Sequence, residues 1–559
     1  MKIRSGLSAI ALVCAAASAF AQGSGDLVLV NGRVYRVTER EPIAEAVLVE
    51  DGRISIVGRS EDVLAGAAAG TRVIDLQNKT VVPGFIDSHG HLMNLGLGLQ
   101  RLDFVGTRSY QEIVDAVGRK ADSVPEDEWI TGRGWDQNDW PEKAFPHHEA
   151  LSRRSPFNPV ALTRVDGHAT LANAKALEIA GIDRDTADPP GGRIVRDADG
   201  DPTGVLVDRA AGLVGRHIPP ESDQNRRAAM LDAIQECLRY GLTSVHDAGI
   251  SGTDIALFKS MVDDGAFGLR VYAMIRAGDA GALEEHFAAG PLIGYGEDRL
   301  TVRSVKAMVD GALGSRGAAL LKPYADDPEN TGLLITQQAD LEALTKRALE
   351  AGFQVASHAI GDRGNRVVLD AYERALRAVP REKYDYSARL RVEHAQVVAL
   401  KDIPRFAALG VIPSMQATHA TSDMYWAEER VGAERAKGAY AWRRFLKAGS
   451  RIANGSDFPV EGVNPLWGFY ASVTRQDHAG VPEGGWQPSQ RMTREEALKS
   501  FTLDAAYAAF EEDLKGSVEV GKLGDLVVLS ADIMTIPAHE ILEAQVLMTV
   551  LGGEIVYER

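Results

Sequence analysis

Two histidines one residue apart, His89 and His91, close the apolar run "VVPGFIDSHGH". Alternate side chains of a strand leave on the same side, so the pair can present two imidazoles to one point. Imidazole nitrogens suit zinc and neighbouring divalent ions, although a His-x-His pair alone also fits a surface turn. Four more residues of related chemistry recur along the chain: Lys306 in "VRSVKAMVDG", His358 in "FQVASHAI", His394 in "RLRVEHAQ" and Asp457 in "RIANGSDFP". Each lies in or at the end of a short apolar run. Only 13 histidines occur in 559 residues, so four in such positions, with an aspartate, form a pattern that a metal site explains. Lys306 is the odd member, because a buried ammonium is costly and a neutral amine is a poor ligand for these ions.

The elements that must position these groups read as alternating strands and helices. Strand candidates are "VVPGFIDSH", "LTSVHDAG", "LRVYAMI", "VRSVKAMVDG", "FQVASHAI", "RLRVEHAQ", "GVIPSMQ" and "RIANGSDFP", and amphipathic stretches such as "ADLEALTKRALEAG" follow several of them. Eight apolar strands alternating with helices predict an α/β fold of the (β/α)8 TIM barrel type, whose chemistry sits at the C-terminal strand ends. Both chain ends have another texture: "DLVLVNGRVYRVT" and "EAVLVEDGRISIVG" at one, "VLMTVLGGEIVYER" at the other, with Asn-Gly and Asp-Gly turn pairs between the early runs. We expect the two ends, 22–82 and 511–559, to pair in a small β-sandwich, with the barrel over 83–510. The long gap after the first strand should carry its own structure, and we assign 105–235 to an inserted subdomain.

Bulk properties narrow the function class. A chain this long exceeds one compact core. A formal charge of −17 argues against nucleic acid or an anionic membrane surface as partner, leaving a small-molecule substrate. Lys2 and Arg4, the apolar "LSAIALVCAAASAF" and the small-x-small "AFA" read as a signal peptide over 1–21. The mature chain would then begin at Gln22 and be periplasmic or secreted, with no membrane attachment. Only Cys237 would remain after cleavage, which excludes an intrachain disulfide. A homodimer is among the assemblies the sequence allows.

The stretches "PGFIDSHGH", "WITGRGWDQNDW", "VDGHATLANAKAL", "GLTSVHDAG", "KAMVDGALGSRGAAL", "SHAIGDRGN", "RVEHAQ" and "NGSDFPVEGVNP" resemble, in order, the amidohydrolase superfamily, and more narrowly its YtcJ-like branch that includes N-substituted formamide deformylases. The resemblance covers nearly all of the mature chain and implies the same barrel with its flanking β domain. It also implies two divalent ions, zinc in the first instance. His89, His91 and Asp457 would hold one ion, His358 and His394 the other, and a carbamylated Lys306 would bridge them. Asp457 would be the catalytic general base. Phe458 after the aspartate and Gly317 after "LGSR" depart in the surroundings, not at the ligands.

The implied activity is hydrolysis of a non-peptide carbon–nitrogen bond of an N-acyl or N-formyl compound. An ester, lactone or phosphoester would suit the same site, and an exported binding protein on an inactive barrel is the alternative from another class. For substrate contacts the sequence offers Arg316, able to fork a carboxylate, and Trp135, Asp136 and His168 from the insertion. His246, Asp247 and His419 fall at barrel-mouth level, in supporting hydrogen-bonding roles.

Overall fold

The computed structural model describes residues 26–137, 140–164, 169–189, 192–314, 316–381 and 387–559. These fall into two compact units, one from Met1–Leu92 and Ile234–Arg559, the other from Met93–Ala233. The segment read as a signal peptide, 1–21, lies outside the described residues, as does His168.

The first unit holds eight parallel strands: β1 (Phe85–Gly90), β2 (Leu242–Ile250), β3 (Arg270–Arg276), β4 (Leu300–Met308), β5 (Gln354–Ala359), β6 (Arg391–His394), β7 (Ile412–Gln416) and β8 (Ala453–Gly455). Each pairs with the next in sequence order. The barrel is nearly closed. Between β8 and β1 the seam is made just past the strand ends, where Asp457 N–H donates to the His89 carbonyl at 2.7 Å and His91 N–H to the Phe458 carbonyl at 2.9 Å. The Asp87 carboxylate adds a staple, accepting from Ser456 N–H at 3.1 Å and from its hydroxyl at 2.6 Å. Gly455 makes this approach possible, since a Cβ there would stand 2.5 Å from Asp87 Oδ1 and 2.6 Å from the His89 nitrogen.

The helices follow from their apolar spacing. Gln338–Glu350 (α1) buries Leu341, Thr345, Ala348 and Leu349, the i, i+4, i+7 stripe of a helix lying on a barrel. Asp362–Ala378 (α2) buries Val368, Leu369, Tyr372 and Ala375 in the same way.

The single strand expected over "VVPGFIDSH" is two. Thr80–Pro83 belongs to a terminal sheet and Phe85–Gly90 to the barrel. Between them Gly84 passes so close to Thr243 that a Cβ would stand 2.1 Å from its hydroxyl oxygen, so the chain changes sheets where only glycine fits. A six-stranded sheet then interleaves the chain ends, in the order Glu554–Glu558, Val546–Leu551, Leu526–Leu529, Thr80–Pro83, Arg33–Tyr35, Ile43–Ala44. A four-stranded sheet from the N-terminal end faces it, with Leu27, Leu29, Val47 and Val49 against Val34, Val81, Leu526 and Val528. Val28 and Val30, on the other face of their strand, pack on Val63, the period of two expected of a strand covered on both sides. The terminal sheet is tied to the barrel by Arg270, at the start of β3, whose guanidinium forks Asp525 at 2.7 and 3.0 Å with both side chains buried.

The second unit has its own six-stranded sheet, in the order Gly192–Arg196, Pro202–Asp208, Ala169–Ala172, Val160–Arg164, Ile130–Trp135, Leu102–Asp103. Its core includes Phe104, Ile113, Val117, Trp135 and Leu162. No helix among the described residues is long and apolar enough to cross a membrane.

Candidate metal centre

His89 and Asp457 meet because β1 and β8 meet. His89 Nε2 lies 3.6 Å from Asp457 Oδ1, and His91 Nε2 lies 3.0 Å from the same oxygen. From β6, His394 brings its ring to 4.8 Å from that of His89 and 4.6 Å from that of His358, at the end of β5. Lys306, on β4, places Nζ 3.1 Å from His89 Nε2. One candidate ligand atom from each of His89, His394 and Asp457 lies within 4.8 Å of the others. His394 and Asp457 both take left-handed backbone, with φ of 72° and 63°. For residues with a Cβ this costs on the order of 1–3 kcal/mol each and is retained where surrounding structure demands a particular side-chain direction.

The sequence reading missed the group that orients His89. Glu393, between Arg391 and His394 in "RVEHAQ", reaches across the barrel and meets His89 Nδ1 at 2.5 Å, with both side chains fully buried. An ionised carboxylate there needs the proton on Nδ1, so the Nε2 lone pair faces Lys306 and Asp457, as ligation requires. Burial works to raise the Glu393 carboxyl, but the Arg391 charge and the His89 hydrogen bond outweigh it and hold it well below the usual carboxylate range. Arg391 forks Glu393 at 2.7 and 3.0 Å, and also donates to the Ser88 carbonyl, the Ser414 hydroxyl and His246 Nδ1. His246, expected at the mouth, therefore lies against this buried guanidinium. Alternation along β6 puts Arg391 and Glu393 on one side of the strand, but it does not say that this side faces the barrel centre.

His394 is held in a similar way: its Nδ1 meets Gln416 Oε1 at 2.8 Å, which leaves Nε2 as the free nitrogen. Burial lowers the imidazolium pKa of His89 to about 4, with the Lys306 charge adding to it, and that of His358 to about 3 for the same two reasons. Burial, then the His358 charge, holds the His394 imidazolium well below its ordinary value. All three rings are thus in the neutral, ligating form near pH 7. Burial would raise the Asp457 carboxyl, but the hydrogen bond to His91 and the fields of His89, His394 and His419 prevail and keep it ionised. Burial also lowers the Lys306 ammonium pKa.

Neutral imidazoles and one anionic carboxylate converging on one buried point suit a divalent cation. Among the described residues, the Nε2 atoms of His358 and His419 are buried with no hydrogen-bond partner, at a place where orphaned acceptors need an ion or a water. His419, in the helix after β7, has Nε2 3.8 Å from Asp457 Oδ2. Asp310, just past β4, lies 3.6 Å from His358 Nε2. It is itself held by the backbone N–H groups of Ala319, Ile360 and Gly361 at 2.8–2.9 Å, which fixes the loop after β4 to the start of α2.

The other expected contacts take different places. Trp135 is fully buried in the core of the second unit and donates its indole N–H to the Leu162 carbonyl at 2.8 Å. Packing is its role, as its size and apolar neighbours dictate. Asp136 pairs with Arg164 at 2.5 Å. Arg316 is turned onto Asp326, with contacts of 3.3 Å from Nε and 2.8 Å from Nη2. Asp326 also accepts from Arg430, so the guanidinium offered for a substrate carboxylate already holds a protein one.

Comparison with known proteins gives the same picture. A family model described as "Amidohydrolase family" matches residues 72–557. The chain is 32% identical to YtcJ of Bacillus subtilis over 95% of its length and 99% of that protein's. It is 30% identical to the N-substituted formamide deformylase of Arthrobacter pascens, over 96% of this chain and 98% of the deformylase. Among solved structures, a metal-dependent hydrolase from Pyrococcus furiosus superposes with a TM-score of 0.76 at 29% identity, over 91% of this chain and all of the other. With the barrel, the converging ligand set and a full-length match in agreement, the chain belongs to the amidohydrolase family.

Proposed function

We propose that this metal-dependent hydrolase cleaves a carbon–nitrogen bond, other than a peptide bond, in a small N-acyl or N-formyl compound. The observation that carries the reading is the buried meeting of His89, His394 and Asp457, with candidate ligand atoms within 4.8 Å of one another. The name of the Arthrobacter relative supports the choice of bond. His89, His91 and Asp457 would hold one ion and His358 and His394 a second, with zinc the first candidate for both. Lys306 would bridge them as a carbamate: its neutral amine attacks carbon dioxide, an N–C bond forms, and one proton leaves. Bound ions supply Lewis acidity, which lowers the pKa of water and polarises a carbonyl.

The chain's own groups then handle the proton. Asp457, kept ionised by its histidine neighbours, accepts a proton from the attacking water and returns it to the departing nitrogen, which cannot leave as an amide anion. Glu393 and Gln416 keep the free nitrogens of His89 and His394 aimed at this point. We further propose that the protein is exported, with a small molecule as its partner in the periplasm or outside the cell.

The test is metal analysis of the purified protein together with a panel of N-formyl amines, N-acyl amino acids, lactones, aryl esters and phosphoesters. Saturable cleavage of amides or formamides by metal-loaded protein is expected. Turnover of the oxygen esters with every amide left intact would refute the choice of bond, and protein that takes up no metal and stays inactive would refute the mechanism.

A further inference from the structure

With Arg316 committed to Asp326, another guanidinium remains at the barrel mouth. Arg276 is the last residue of β3, and its Cα pairs with that of Lys306 on β4. Adjacent strands lie about 4.8 Å apart, so the two side chains start as neighbours. Alternation gives the direction. Tyr272 and Met274, two and four residues earlier, face the barrel interior, where Tyr272 donates to Gln354 and Met274 packs on Ala248 and Ala356. Arg276 therefore leaves β3 on the interior side at the level of Lys306, and it is exposed there.

Its guanidinium is positioned but only partly used. Nε donates to the Gly249 carbonyl at 3.2 Å, beside Lys306, since a Cβ on Gly249 would lie 3.5 Å from Lys306 Cγ. Among the described residues neither terminal nitrogen has a hydrogen bond or ion pair. Asp279 feels the Arg276 charge, but its carboxylate is occupied by the backbone N–H groups of Gly252 and Ala282 at 3.0 and 3.1 Å. The free edge of a guanidinium held at Nε is the fork that binds a carboxylate in two parallel bonds. Next to it stands Met308, on the Lys306 side of β4 and one step further out, a large apolar side chain that is 43% exposed.

We infer that Arg276 anchors a carboxylate on the substrate and that Met308 lines the place of an adjoining apolar group. Resting on the hydrolase reading above, this narrows the substrate class to N-acylated amino acids with apolar side chains. The orientation follows from the strand order, with the acyl carbonyl over the His89–Asp457 side and the carboxylate over β3.

The experiment is calorimetric binding to metal-loaded protein of N-acetylphenylalanine and of N-acetylphenethylamine, which differ only in the carboxylate. Wild type should prefer the acid about 10- to 100-fold, the usual worth of a charge-assisted fork. Arg276→Met should remove most of that preference, and Arg276→Lys should recover part of it, because a point charge replaces the fork. Equal affinity of wild type for the two compounds, an unchanged preference in Arg276→Met, or no binding of the acid at millimolar concentration would each overturn the assignment. If neither compound is turned over while an Arg276-dependent preference persists, the anchor stands and the hydrolysis reading fails.

Discussion

Replacing Glu393 by glutamine tests the geometry of the centre more directly than removing any ligand. The two side chains have the same shape, so the barrel interior should keep its packing. What changes is the hydrogen-bond inventory: a carboxylate accepts on both oxygens, whereas an amide accepts on one and donates from the other. Glu393 receives Arg391 at 2.7 and 3.0 Å and His89 Nδ1 at 2.5 Å, and a glutamine cannot serve both partners. If its NH2 faces His89, the ring must move its proton to Nε2 and loses the lone pair aimed at the ion. Loss of such a supporting partner typically costs 10- to 100-fold in metal affinity, or about 1.4–2.7 kcal/mol. Arg391, fully buried, also loses its counter-charge, which for a buried pair costs on the order of 3–5 kcal/mol of stability. Competition against a chromophoric chelator would read the first effect and urea unfolding of the metal-free protein the second. In the double variant Arg391→Met/Glu393→Gln the stability loss should be partly regained, because no lone charge remains, while metal affinity stays low. A Glu393→Gln protein with wild-type metal affinity and unfolding midpoint would refute the argument that this carboxylate sets the His89 tautomer.

Lys306→Ala should retain at most half of the wild-type metal content and lose activity at least 10³-fold; full metal content with full activity rules out the bridge. In metal-free protein, His358 has a folded pKa of about 3 against about 6.5 unfolded. The unfolded chain therefore takes up a proton below pH 6.5 that the folded site refuses, and stability drains away as the pH falls. His358→Gln removes that dependence, so its stability relative to wild type should rise by about 1.4 kcal/mol per pH unit between pH 6 and 4; parallel unfolding curves over that range would contradict the burial argument. Mass spectrometry of the protein isolated from its native cell envelope or medium should give a chain starting at Gln22, and an intact Met1 there would remove the export proposal.

Much of the barrel was legible because its strands are short apolar runs cut off by turn residues, and because eight of them alternate with helices of 3.6 periodicity. Residues at strand ends are also where sequence reasoning reaches furthest: His89, His358, His394 and Asp457 needed only the rule that one end of the barrel carries chemistry. Glu393 was not found, since nothing local distinguishes a carboxylate that turns into the barrel centre from one that faces solvent. Arg316 drew attention through its glycine-rich loop, but its partner Asp326 comes from the same long connection, whose path no periodicity encodes. Trp135 was misplaced for a related reason, because an aromatic in an inserted segment serves a core as readily as a ligand. The boundary between β-sandwich and barrel was set at residues 82 and 83, yet "VVPGFIDSH" read as one strand because it is apolar throughout, and the change of sheet at Gly84 depends on Thr243, far away in sequence.

The seam between β1 and β8 also bears on how the protein comes into being. Asp87 and Ser456 are 369 residues apart, and contacts of such sequence separation form late because a long loop must close first. Asp457 reaches the histidines only through that seam. During synthesis, then, no partial chain owns the centre, and a nascent or truncated barrel offers an ion at most a scattering of solvent-accessible histidines. Loading becomes an event of the finished chain, and metal uptake would report completion of the fold more sharply than the growth of helical or strand content.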